Sequence, residues 1–190
     1  MTEKTGENGV YYEDKTERAG FIRKILGDNK IVPSKILTVI GGAWPLEFRD
    51  IFPKAKIQAF DNNAGQIEAF RDEILGATGR EPIKCRAPGD KFEDVLSLTN
   101  FDFLFLSNIT DYISPGEAER LGEEIVEFEV PAVLFSSLGA GQMRSHSDQS
   151  THTLREHLEE EGYKVLQFTD DTPGSHEVRN FYLATRVQAT

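Results

Sequence analysis

Residues Ile36–Phe48 read ILTVIGGAWPLEF. A β-rich apolar run meets Gly41-Gly42, and Trp44-Pro45 follow almost at once. Paired glycines behind a strand let a ligand approach the backbone closely. They also suit an ordinary strand-to-helix turn, so the surroundings must decide. The next β-rich run, Lys56–Phe60 (KIQAF), ends in Asp61-Asn62-Asn63. An acidic residue closing a second strand, about 20 positions after a glycine turn, is where nucleoside-binding α/β folds hold ribose hydroxyls. The plainer alternative is that Asp61 merely caps the helix that follows.

The opening run spans Lys35–Ile40, and further β-rich runs stand at Ile83–Arg86, Phe101–Leu106, Ala132–Phe135, Lys164–Phe168 and Asn180–Val187. Between most of them the apolar spacing turns helical. Helices are expected over Glu13–Leu26, Pro45–Phe52, Ala64–Leu75, from Ser114 to Phe128, and over His152–Glu161. Ser114-Pro115-Gly116-Glu117 is the clearest start signal: a capping serine, a proline at the first helical position and a glutamate to return the bond. Alternating strands and helices imply right-handed crossovers and a parallel sheet with helices on both faces. Only TDDTPGSHEVR separates the last two strands. That is a hairpin linker, because a parallel return needs a helical crossover. The expected fold is α/β: one doubly wound, seven-stranded, mostly parallel sheet whose last strand is antiparallel.

The chain has 190 residues and a net charge of -11, with 38% hydrophobic and 28% charged residues. That balance suits a globular domain and disfavours nucleic acid or anionic membranes as partners. No apolar run approaches the ~18–20 residues that cross a bilayer. The polar start MTEKTGENG shows no signal-peptide core. Cys85 is the one cysteine, so no intrachain disulfide forms, which suits a cytoplasmic setting. No metal site is expected: His152 and His157 are five apart on a helix and do not share a face. There is no P-loop and no G-x-S-x-G nucleophile elbow.

A dinucleotide would need its pyrophosphate on free N–H groups at the helix start. GGAWPL sets a bulky Trp44 and the N–H-less Pro45 there. A ligand with a ribose and no phosphate fits better. The chain resembles the class I S-adenosylmethionine-dependent methyltransferases over Lys35–Val187. The matching stretches are ILTVIGG, IQAFDNN, APGD and FDFLFLSNI. GGAWPL is also faintly similar to nicotianamine synthase and other enzymes acting on the aminocarboxypropyl arm of the same cofactor.

The resemblance implies a role for each matching position. Gly41, Gly42 and Ala43 would line the amino-acid tail of S-adenosylmethionine. Asp61 would hold the ribose, Asn62 would lie near the adenine edge, and Asp90 would accept from the adenine amine. Ser107 and Asn108 would flank the sulfonium and the incoming nucleophile. It further implies residues 1–34 as a tail and lid helix, and 35–190 as the cofactor-binding catalytic domain.

Other candidates come from their loops. Asp111 is the nearest carboxylate for a base or for holding an amine. Tyr112 is placed to pack on cofactor or substrate. The loop Ser136–His146, rich in small residues, suits substrate binding and carries Arg144 and His146. The loop Asp170–Glu177 carries His176. His146 and His176 are candidate bases, since neutral imidazole takes a proton near pH 7. Tyr11 and Tyr12 precede the first helix, where they would cover the cofactor or serve as a surface staple.

The leading expectation is methyl transfer to a small molecule by a monomer or homodimer. The alternatives are chemistry on the aminocarboxypropyl arm, releasing methylthioadenosine, and a non-catalytic nucleoside-binding protein of the same fold.

Overall fold

The computed structural model describes residues 15–39, 44–61, 64–84, 101–138, 147–170 and 178–187. The strands are β1 (Lys35–Val39), β2 (Lys56–Asp61), β3 (Ile83–Lys84), β4 (Phe103–Leu106), β5 (Ala132–Leu138), β6 (Tyr163–Asp170) and β7 (Arg179–Arg186). They form one mixed sheet in the order β3-β2-β1-β4-β5-β7-β6. Among the described residues the helices are α1 (Lys15–Asp28), α2 (Trp44–Ile51), α3 (Ala64–Thr78), α4 (Pro115–Glu127) and α5 (Ser147–Glu160), with a 3-10 turn at Ile109–Asp111.

β1 to β5 pair in parallel, and β7 runs antiparallel to both of its neighbours, β5 and β6. The last two strands do form a hairpin, but β7 inserts between β5 and β6. Burial explains the insertion. Phe181, Tyr182, Leu183 and Ala184 of β7 are buried in succession, as a strand covered on both faces requires. β6 exposes Lys164, Gln167 and Thr169 and takes the edge, where polar side chains meet water.

Strand alternation sorts the core into two faces. Leu37, Leu104, Leu106, Val133 and Phe135 pack with Leu121 and Ile125 of α4 and Leu154 and Leu158 of α5. Ile36, Ile57, Phe103, Phe105 and Leu134 pack with Ile22, Ile25 and Leu26 of α1 and Trp44 and Phe48 of α2. The helix of the expected lid segment is therefore part of the main core. Trp44 is 2% exposed and meets Phe105 edge-on at 5.1 Å between ring centroids. That is an apolar core position, and it anchors the start of α2 against β4.

The predicted start of α4 is present in full. Ser114 Oγ accepts from the Glu117 N–H at 3.3 Å, while Glu117 Oε2 accepts from the Ser114 N–H at 2.7 Å. Two boundaries differ from expectation. β5 continues through Ser136, Ser137 and Leu138, and α5 begins at Ser147 rather than His152. The segment between them is accordingly shorter than Ser136–His146. Asp170 likewise belongs to β6 and not to the loop after it.

Candidate functional site

The sheet order reverses between β1 and β4: β2 and β3 lie on one side of β1, while β4 and β5 follow on the other. In open α/β sheets the crevice beyond the strand ends at such a reversal is where ligands bind. Three described residues among the sequence candidates stand there. Asp61 ends β2 and is 7% exposed. Ser107 follows β4, is 6% exposed, and donates its backbone N–H to the carbonyl of Val39, the last residue of β1, at 3.2 Å. Asn108 comes next.

Asn108 has φ 51° and ψ 26°, the left-handed conformation. A non-glycine residue pays for that conformation, and asparagine pays least. Ser136 of β5 supports it from the neighbouring strand. The Asn108 N–H donates to Ser136 Oγ at 3.0 Å, and Ser136 Oγ donates to Asn108 Oδ1 at 3.0 Å. Ser136 is 1% exposed, so this ring of two bonds is shielded from water. Sequence reading placed Ser136 in a loop. The available signal was alternation, since Ser136 keeps the parity of Ala132 and Leu134 along β5.

The turn after Asn108 is strapped to α5 by hydroxyl groups. Ser147 Oγ donates to Asp111 Oδ1, Ser150 Oγ donates to the Ile113 carbonyl at 2.8 Å, and Thr151 Oγ1 donates to Thr110 Oγ1 at 2.8 Å. Thr110 is fully buried and Asp111 is 4% exposed. Asp111 thus holds the N-terminal turn of α5. Tyr112 is 50% exposed and turns outward beside it.

A second polar group lies farther along the same rim. Asp170, the last residue of β6, pairs in register with Arg179, the first of β7. Arg18 of α1 sits 3.8 Å from the Asp170 carboxylate, and all three side chains are buried. Burial pushes the Arg179 guanidinium down to about 10, so it stays charged at neutral pH.

Gly41, Gly42, Ala43, Asn62, Asp90, Tyr11, Tyr12, Arg144, His146 and His176 lie outside the described residues. Among the described residues there is no group of three metal-ligating side chains, and no helix is long and apolar enough to cross a membrane.

No protein-family model matches the chain, and a comparison with curated proteins finds no match either. Solved structures do match. The methyltransferase domain of bacterial CtHen1 superposes with a TM-score of 0.65 at 11% identity, over 92% of this chain and 99% of that one. Precorrin-6y C5,15-methyltransferase from Geobacter metallireducens matches with a TM-score of 0.61 at 16% identity, over 98% and 94% of the two chains. The N-terminal domain of EvdMO1, solved with S-adenosylhomocysteine bound, matches with a TM-score of 0.62 at 16% identity, over 96% and 85%. With its strand order, its inserted antiparallel β7 and these superpositions, the chain has the class I, Rossmann-like S-adenosylmethionine-dependent methyltransferase fold.

Proposed function

We propose that the protein is an S-adenosylmethionine-dependent methyltransferase acting on a small molecule, with residues 35–190 forming the catalytic unit. The observation that carries this reading is the buried Asp61 carboxylate at the end of β2, beside the reversal between β1 and β4. The donor set suits the cofactor: a carboxylate for two ribose hydroxyls, and polar Ser107 and Asn108 at the end of β4. Pro45 in the first turn of α2 removes an N–H that a phosphate would use, which favours a ligand without one.

The cofactor, when bound, supplies a carbon already activated by its positive sulfur. What falls to the protein is alignment and exclusion of water. Asp61 would fix the nucleoside end. Ser107 and Asn108 would border the reacting end, on a turn braced by α5 and β5. The aminocarboxypropyl alternative drew on Trp44 and Pro45, and both are buried in α2.

Isothermal calorimetry with S-adenosylmethionine and with NAD tests the reading. Binding of the first alone is expected, and Asp61→Asn should weaken it by about tenfold or more, the loss of a charged hydrogen-bond acceptor. Unchanged binding in a folded Asp61→Asn variant rejects the ribose role. Mass spectrometry of the nucleoside product separates the reactions: S-adenosylhomocysteine for methyl transfer, methylthioadenosine for the alternative.

A further inference from the structure

We propose that Ser136 is a positioning residue that sets which edge of the Asn108 carboxamide meets the substrate, and that the group recognised there is an oxygen acceptor rather than an amine. This rests on the methyltransferase reading above. The argument starts from what a serine hydroxyl can do. It has one proton to give and lone pairs to receive. Ser136 Oγ receives the backbone N–H of Asn108 and gives its proton to Asn108 Oδ1, both at 3.0 Å.

A carboxamide is planar, with oxygen and nitrogen on opposite edges. Oδ1 is turned onto β5, so the Nδ2 edge turns away from β5. That is the side on which β1 and the crevice lie, because β4 runs between β1 and β5. The left-handed backbone at Asn108 carries the side chain to this place, and the Ser136 contact holds both backbone and side chain. Asn108 is part-buried rather than sealed in the core, as a residue meeting a ligand must be.

Nδ2 only donates. An amine nucleophile would need an acceptor to take its N–H groups, and the acceptor edge of Asn108 faces Ser136. A carboxylate, carbonyl or hydroxyl oxygen accepts from Nδ2–H without conflict. For a carboxylate substrate the step balances without a base. One oxygen accepts from Asn108, and the other donates an electron pair to the methyl carbon. The carbon–sulfur bond breaks, and its pair stays on sulfur as S-adenosylhomocysteine.

The test reads the side-chain N–H₂ signals of Asn108 in the 15N NMR spectrum of the full chain saturated with S-adenosylhomocysteine. Benzoate and the neutral ketone acetophenone probe for an oxygen acceptor, and benzylamine for a nitrogen donor. The two oxygen probes are expected to shift the signals and benzylamine is not. Ser136→Ala should weaken benzoate binding about tenfold, the worth of one well-oriented hydrogen bond to a charged group, and Ser136→Thr, which keeps the hydroxyl, should restore it. Exchange of the Asn108 backbone amide should quicken in Ser136→Ala and not in Ser136→Thr. A shift with benzylamine alone, no shift with any probe, or equal behaviour of Ser136→Ala and wild type overturns the proposal. Calorimetry on the same samples keeps the two readings apart: failure of S-adenosylhomocysteine to bind the wild type rejects the methyltransferase reading and this one with it. Binding within twofold of wild type in Ser136→Ala assigns the effect to the acceptor side.

Discussion

Gly122 of α4 lies against the imidazole of His157 on α5: a Cβ on residue 122 would come within 2.6 Å of His157 Cδ2 and 3.0 Å of Cγ. The contact reaches the root of the ring, so a small tilt does not relieve it. Gly122→Ala gains up to about 1 kcal/mol of helix propensity and loses roughly 1–3 kcal/mol to overpacking. A net loss of about 1 kcal/mol is expected in urea unfolding. In a His157→Ala background the same substitution should become neutral or stabilising, because the obstacle is gone. A loss of equal size in both backgrounds would place the cause elsewhere.

Ser147→Ala should destabilise the protein by about 1–3 kcal/mol, since it takes a donor from the buried Asp111 carboxylate. Thr151→Val keeps the shape and removes the bond to Thr110. It should cost less, about 1 kcal/mol, because the two partners in that bond are neutral hydroxyls and no charge is left unpaired. Paired chemical denaturation curves give the order, and a larger loss in Thr151→Val would contradict it.

Asp170→Ala is expected to be among the more damaging single changes, about 3 kcal/mol, because it withdraws a buried carboxylate from the buried Arg18 guanidinium. The loss should appear as a lower melting temperature at neutral pH. A variant as stable as wild type would show that other groups balance the Arg18 guanidinium.

Stability should fall in strong alkali. Burial raises the Tyr163 and Tyr182 phenols above their ordinary value. A raised folded-state value means the contribution is whole below the unfolded value, about pH 10, and is lost as pH climbs through the folded one. Tyr163→Phe should flatten part of that slope. It should also cost about 1 kcal/mol at neutral pH, as the Tyr163 hydroxyl donates to the Val130 carbonyl at 2.8 Å. Melting curves from pH 7 to 11 read both effects, and an unchanged alkaline slope in the variant would remove Tyr163 as a contributor.

Much of this architecture could be read from residue pattern, where pattern reflects burial. FLFL in β4 is buried on both faces, and its continuous apolar run signals that. The α4 start was legible because Ser114 and Glu117 satisfy each other within four residues, with no distant partner needed. The first turn of α5 was hidden for the opposite reason. Ser147, Ser150 and Thr151 are buried, yet polar, and they are satisfied by Asp111, Ile113 and Thr110 about forty positions back. Hydrophobic periodicity cannot register a buried hydroxyl face. Ser136 misled in the same way: its bond partner is 28 residues distant, so a core strand position looked like loop. Trp44 near the glycine pair read as bulk against a pyrophosphate, but its ring packs on Phe105, which only the pairing of β1 with β4 brings near.

The place of β7 also bears on how the protein is made. On the ribosome β6 emerges before β7, its one partner among the described strands, and β5 waits with one edge bare. Neither can be completed until Arg179–Arg186 has been synthesised, when a single strand must slot between two that were made earlier. The nascent chain therefore carries unpaired sheet edges until β7 has been made, a window in which chaperones and stray intermolecular pairing compete for them.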